Sequence, residues 1–349
     1  MKNYKFQNQV IYFKTCENMG ELQDSTIDLI VTSPPYNRKK TYSSDEGKIY
    51  NDHMIDEDYL NFIISIWREC YRVAKKSAIF FLNIGDAAND QGKSEKVAEM
   101  AELAGWFRIQ DIIWVKSFLG RGHYTPSGGN KRFNNIWEHI YIFVKDKKNY
   151  TLDTKAIGIP YADKSNIGRY GESDLRDPGN VWLIPYDKTT GAKTKKGHEA
   201  PFPIGLPYNC IKCVPDVKTV LDPFCGTGTT LAACINLGIK GIGYEKYPRI
   251  DIIKNRLKEG LRFKPHTTIL IPHYELSINI LYNYLNTLDF EPPDTKTKKE
   301  SIERAILIDV LQNLGIDNSF IKKLLPKSSK SIIKKDKSNL LSYFKKMEN

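Results

Sequence analysis

Ser33-Pro34-Pro35-Tyr36 sets a hydroxyl, two residues without backbone N–H groups and a phenol in direct succession. The carbonyls of this segment are left to accept hydrogen bonds, and each X-Pro bond drives its preceding residue to extended geometry, so the row of acceptors is stiff. Tyr36 adds a flat ring beside them. Acceptors in line with a stacking face suit a planar group that carries an amine, for which a nucleobase is the obvious candidate. Taken alone, the tetrapeptide also fits an ordinary proline turn at the end of a strand.

A second stretch narrows the choice. Val220-Leu221-Asp222-Pro223-Phe224-Cys225-Gly226-Thr227-Gly228-Thr229-Thr230 reads as a strand, a glycine loop and the start of a helix. Glycines let backbone approach a ligand closely, and the helix start offers free N–H groups, as in nucleotide pockets. No Gly-Lys-Ser/Thr follows, and the third glycine of the dinucleotide pattern is missing, so neither phosphate-binding motif applies. Nineteen residues past Gly226, Glu245 closes the next strand, where a carboxylate can accept both hydroxyls of a ribose. Ribose recognition without phosphate machinery fits an adenosine bearing an amino-acid chain, that is, S-adenosylmethionine.

The elements that must position these residues follow from periodicity. Apolar, β-branched runs predict strands at Gln9–Phe13, Asp28–Thr32, Ala78–Leu82, Ile109–Val115, Trp137–Val144, Thr219–Leu221 and Ile239–Tyr244. Helical spacing predicts helices at Glu17–Leu22, Asp58–Val73, Ser94–Ala104, Leu206–Cys213, Thr229–Leu237 and Ile250–Leu261. Strands alternating with helices argue for a doubly wound α/β sheet whose sites lie at the strands' carboxyl ends. Asn37–Asp52 reads as a polar loop over the site, and Lys116–Asn135 as a second loop. Asp146–Gly197 breaks the rhythm as an irregular insertion.

The chain has 349 residues, 41% hydrophobic content and a formal net charge of +11. That length supports one large α/β domain with an appendage, and the charge favours a polyanionic partner. No run approaches the length of a membrane span and no signal peptide is recognisable, so a cytoplasmic protein without a membrane partner is expected. The six cysteines stand scattered among apolar residues, the pattern of reduced, mostly buried thiols, and no metal is expected. Beyond about Lys264 the composition shifts, and from Lys322 onward nine lysines face two acidic residues, a surplus of +7.

Asp222-Pro223-Phe224-Cys225-Gly226-Thr227-Gly228 resembles the cofactor motif, and Ser33-Pro34-Pro35-Tyr36 the catalytic motif, of the amino-group DNA methyltransferases, which methylate cytosine N4 or adenine N6. The catalytic motif comes first, the permuted order of that family's β group. His198-Glu199-Ala200-Pro201-Phe202-Pro203 resembles the group's segment at the methionine end of the cofactor, and Gly179-Asn180-Val181-Trp182 another of its recurrent segments. One departure stands out: Lys14-Thr15-Cys16 replaces the common Gly-Asp-Cys, so Thr15 would contribute through its hydroxyl or backbone.

The resemblance, over about residues 8–262, implies a circularly permuted Rossmann-like methyltransferase sheet with helices on both faces. It implies a catalytic half over 1–145, an inserted target-recognition module over 146–197 and a cofactor-binding half over 198–264; beyond it, lysine-rich composition and the helical spacing of Ile302, Ile306, Val310, Leu311 and Leu314 predict a lysine-rich helical extension over 265–349. S-adenosylmethionine would be held by Thr15, Phe202, Asp222, Phe224, Gly226, Gly228, Thr229 and Glu245, with Ser33, Pro34, Pro35 and Tyr36 catalytic. Double-stranded DNA is the implied partner. Arg121, His123, Lys131, Arg132, Lys193, Lys195 and Lys196 are candidate DNA contacts, and Lys188 lies in the same module. Within the family Ser-Pro-Pro-Tyr is typical of cytosine-N4 enzymes and Asp-Pro-Pro-Tyr of adenine-N6 enzymes, so N4-methylcytosine is the expected product and N6-methyladenine the alternative. A non-catalytic DNA-binding regulator on the same scaffold is the alternative of another class. A restriction-modification role, with a functional partner endonuclease and a monomeric or homodimeric enzyme, is the family's usual context.

Overall fold

The structure is a computed structural model that describes residues 3–37, 40–43, 49–86, 90–117, 133, 135–159, 161, 164–169, 171–184 and 202–264; of 40–43 and 49–52 it describes the backbone. The chain divides into two compact units, Met1–Leu270 and Ile271–Asn349, and every described residue belongs to the first.

In chain order the strands are β1 (Asn3–Phe6), β2 (Gln9–Tyr12), β3 (Ile27–Thr32), β4 (Lys40–Ser43), β5 (Ile49–Asp52), β6 (Ala74–Ile84), β7 (Phe107–Val115), β8 (Trp137–Val144), β9 (Val181–Leu183), β10 (Thr219–Asp222) and β11 (Lys240–Tyr244). The helices are α1 (Asp56–Val73), α2 (Lys93–Leu103), α3 (Gly205–Lys212), α4 (Thr229–Asn236) and α5 (Ile250–Arg262). Nine strands form one sheet in the order β1-β2-β11-β10-β3-β6-β8-β7-β9, and β4 pairs with β5 in a separate hairpin. From β2 to β6 the strands run parallel, and β8 enters antiparallel between β6 and β7.

Strand periodicity divides the core between the two faces. Ile30, Phe80 and Leu82 bury against α1 and α2 through Tyr59, Ile63, Trp67 and Ala98. Leu29, Val31, Ile79 and Phe81 pack on the opposite face against Leu206 and Cys210 of α3 and Ala232 and Ala233 of α4. A third cluster joins Ile11 of β2 to Leu231 and Ile235 of α4 and to Ile253 and Leu257 of α5. Both faces are therefore covered, the arrangement a largely parallel sheet requires.

Three expectations are corrected. Glu17–Leu22 is not a helix: Glu69 of α1 accepts the Met19 N–H at 2.8 Å, and Arg72 donates to the Met19 and Leu22 carbonyls at 3.1 Å each. Side chains of α1 thus hold the segment's backbone groups, and the Leu22 N–H closes a turn on the Met19 carbonyl at 2.8 Å. Asn37–Asp52 holds the β4–β5 hairpin, in register from Lys40↔Asp52 to Ser43↔Ile49; its Thr, Tyr and Ile residues favour strands, which a search for helical spacing overlooks. Val181–Leu183, inside the irregular stretch, is a ninth strand parallel to β7, anchored where the Trp114 indole donates to the Ile184 carbonyl at 2.7 Å. Among the described residues, no helix is long and apolar enough to cross a membrane.

Candidate active site

β10 and β3 are neighbours in the sheet, with Val220 opposite Leu29 and Leu221 opposite Ile30. From this seam the chain winds in opposite directions: β10 continues through α4 to β11, and β3 through α1 to β6. Such a switch point leaves a crevice at the carboxyl ends of the two strands. The glycine loop leaves β10 and Ser33 leaves β3 at that end. Across the seam the Thr32 hydroxyl donates to Asp222 Oδ1 at 2.6 Å, joining residues 190 positions apart.

The proline segment is fixed by its neighbours. Tyr59 of α1 donates its hydroxyl to the Pro35 carbonyl at 2.7 Å, and Asn37, in left-handed geometry (φ 52°), exchanges bonds with the Met54 N–H at 2.7 Å and the Met54 carbonyl at 3.0 Å. The Pro34 carbonyl has no donor among the described residues. Ser33 Oγ donates to the Tyr36 hydroxyl at 3.0 Å, and Tyr36 in turn donates to Glu138 Oε2 at 3.0 Å. Glu138, on β8, is 4% exposed. It also accepts from Asn83 Nδ2 at 3.2 Å and pairs through Oε1 with Lys116 Nζ at 2.5 Å. Gly85 makes room for it: a Cβ there would collide with Glu138 Cγ.

On the other side of the seam, Gly226 and Gly228 take positive φ angles of 51° and 88°. Among the described residues, a Cβ at Gly226 would find only the Phe224 carbonyl, 3.9 Å away. Cys225 is tied back to β11 by its N–H on the Tyr244 carbonyl at 3.0 Å. Burial raises the Cys225 thiol well above its ordinary range, so it carries no thiolate for nucleophilic attack. Glu245 follows β11; its N–H donates to the Tyr12 carbonyl at 3.0 Å, and Oε1 accepts from the Tyr247 N–H at 2.6 Å. Burial pushes its carboxyl up to about 7, partly offset by the N–H groups of Tyr247 and Gly226 and reinforced by the Asp222 charge.

The remaining sequence candidates take several different places. Asp222 is 2% exposed, accepts from Thr32 and from the Phe224 N–H at 3.1 Å, and is raised to about 6 by burial; its side chain holds the loop together. Phe224 stands edge-on to Phe62 and Trp67, each ring centroid 6.1 Å away. Thr229 opens α4 and accepts from Arg256 Nε at 3.1 Å, while Arg256 also donates to the Phe202 carbonyl at 3.2 Å, bringing Phe202 to the helix start. Thr15, just past β2, donates its hydroxyl to Glu17 at 2.7 Å. Arg121, His123, Lys131, Arg132, Lys188, Lys193, Lys195 and Lys196 lie outside the described residues.

Sequence reasoning did not single out Glu138, Lys116, Asn83, Tyr59 or Arg256. The one local signal was an acidic residue at the start of the mostly apolar strand Trp137–Val144.

Comparison with known proteins is decisive for the family. Residues 27–255 match the DNA methylase family of N6 and N4 methyltransferases. The chain belongs to this family. Among curated relatives of this DNA methylase, the type II methyltransferase M.MwoI of Methanothermobacter wolfeii is 31% identical over 69% of the chain, which spans 31% of that longer protein. The type II methyltransferase M.MjaI of Methanocaldococcus jannaschii is 29% identical over 68% of the chain and 87% of its own length. Among solved structures, PvuII DNA methyltransferase, itself described as cytosine-N4-specific, superposes with a TM-score of 0.52 at 19% identity over 75% of the chain and 95% of its own. That likeness shows the fold. The permuted, Rossmann-like reading of the sheet stands.

Proposed function

We propose that this DNA methylase transfers a methyl group from S-adenosylmethionine to N4 of a cytosine flipped out of duplex DNA, as the modification enzyme of a restriction-modification system. The observation that carries the reading is the pairing of an amine-accepting Ser33-Pro34 edge with a glycine loop and a ribose carboxylate across one strand seam.

The pocket residues fit the cofactor. Glu245 would accept the ribose hydroxyls, the Gly226–Gly228 backbone would lie against the nucleoside, and Phe202, held by Arg256, would border the methionine end. Bound there, S-adenosylmethionine supplies an electrophilic methyl on a sulfonium.

The chain's own contribution is positioning and electrostatics. The exocyclic amine of cytosine is a weak nucleophile because its lone pair is delocalised into the ring. Ser33 Oγ gives its proton to Tyr36 and keeps its lone pairs for one amine N–H; the Pro34 carbonyl is available for the other. Drawing both N–H groups to one side favours a pyramidal nitrogen whose lone pair points at the methyl, and the same two oxygens stabilise the positive charge that develops on it. The amine is unreachable in a stacked duplex, so base flipping is required, with the Tyr36 ring as stacking surface. A neutral serine rather than an aspartate opens the catalytic segment, which favours cytosine.

The test is to incubate the protein with unmodified DNA and methyl-labelled S-adenosylmethionine and separate the nucleosides. Label in N4-methylcytosine is expected. Label confined to N6-methyladenine would replace the base, and cofactor binding without any label in DNA would favour a regulator on a methyltransferase scaffold.

A further inference from the structure

An exocyclic amine that gains a methyl group must lose a proton, and the structure offers a path for it. Ser33 Oγ donates to Tyr36 Oη at 3.0 Å, and Tyr36 Oη donates to Glu138 Oε2 at 3.0 Å. The chain of bonds that starts at Ser33 ends on a carboxylate. That carboxylate sits at 4% exposure in an apolar strand, an expensive place for a charge. It is tolerated because Lys116 pairs with Oε1 and Asn83 donates to Oε2. If Glu138 served only to neutralise Lys116, nothing would require the Tyr36 hydroxyl on its second oxygen.

We propose that Ser33, Tyr36 and Glu138 form a proton relay that deprotonates the amine as it is methylated, with Glu138 as its terminal acceptor. The inference rests on the amine-methyltransferase reading but not on which base is modified. As the amine lone pair forms the N–C bond, the S–C bond breaks and its electron pair stays on sulfur. As that bond forms, positive charge develops on the nitrogen and makes its N–H strongly acidic, so the proton leaves within the transfer step and conjugation with the ring is kept. That proton passes to Ser33 Oγ while the serine proton moves to Tyr36 Oη and the tyrosine proton to Glu138 Oε2. Glu138 ends as a neutral carboxylic acid and returns the proton to water between turnovers. Serine suits this segment because a hydroxyl both accepts a proton and passes one on. Glu138 does not touch the base; it acts through Tyr36.

Single-turnover methyl transfer to DNA, measured for E138Q, Y36F and the double variant, tests the relay. The E138Q side chain keeps the shape and an acceptor for Tyr36 but cannot take up a proton. E138Q and Y36F are each expected to slow the step by about 10²-fold, the scale of general acid–base effects, with KM for DNA and cofactor affinity unchanged. The double variant should be no slower than the slower single one, because both interrupt one chain. If E138Q fails to fold once Lys116 loses its partner, K116M/E138Q removes both charges and carries the same expectation.

A second readout needs neither cofactor nor DNA. The 13Cζ resonance of Tyr36, assigned by its loss in Y36F, should move upfield in E138Q as the phenol loses a carboxylate acceptor. An E138Q rate within about twofold of wild type, losses that multiply in the double variant, or an unmoved Tyr36 resonance would overturn the relay while wild-type methylation stands. A wild-type protein that methylates no base in DNA would overturn the functional reading and the relay with it.

Discussion

Burial lifts the Glu245 carboxyl from its ordinary 4.5 to about 7, where its charge is set by working pH. Two ribose hydroxyls need an ionised acceptor, since a protonated carboxyl spends one oxygen as a donor. Cofactor affinity should therefore fall as pH drops through about 7, by up to roughly tenfold per unit below it. Stability of the unliganded fold runs the opposite way. The folded carboxyl holds its proton up to about 7 while the unfolded one releases it near 4.5, so this contribution is present below 4.5 and is lost as pH rises to about 7. Asp222, raised from 3.8 to about 6 by burial, adds a change of the same sign over its own window. Calorimetric titration with S-adenosylmethionine between pH 5.5 and 8.5 checks the ligand side. E245Q should bind more weakly at the alkaline end and lack this pH-dependent limb, and a wild-type affinity flat across the range would remove Glu245 from the ribose.

At the scale of elements, the seam between β3 and β10 decides whether the two motifs meet. T32V removes the hydroxyl from a buried carboxylate oxygen without changing side-chain size much, and leaving such a group short of a partner costs about 1–3 kcal/mol. A melting point lower by several degrees is expected, with T32S restoring most of the loss; T32V melting with wild type would show that other contacts hold the seam. Both motifs were legible in the sequence because each is local: a strand that ends in prolines, and a strand that ends in glycines. Their juxtaposition was readable only through the doubly wound pattern. Glu138 was not, because its meaning depends on β8 running antiparallel beside β6, which sets it against Asn83, 55 positions earlier, and Tyr36, 102 positions earlier. The Glu17–Leu22 segment was misread for a related reason, since its backbone partners come from Glu69 and Arg72 on a distant helix.

Over the whole molecule, a +11 chain in a DNA methylase family has a definite electrostatic consequence. Each phosphate neutralised by a lysine or arginine releases a condensed counterion, so the logarithm of the DNA association constant falls linearly with that of salt, by about 0.9 per contact. Lys193, Lys195 and Lys196 stand within four consecutive residues, and phosphate contacts from them would position the enzyme without reading sequence. Replacing all three with Gln should flatten the salt dependence by up to roughly 2.7. It should also weaken specific and non-specific duplexes by similar factors, because phosphates carry no sequence information. Fluorescence anisotropy with both duplexes at four or more salt concentrations separates the outcomes. An unchanged slope would show these lysines to be a solvated face, and a loss confined to the specific duplex would assign them to base recognition instead.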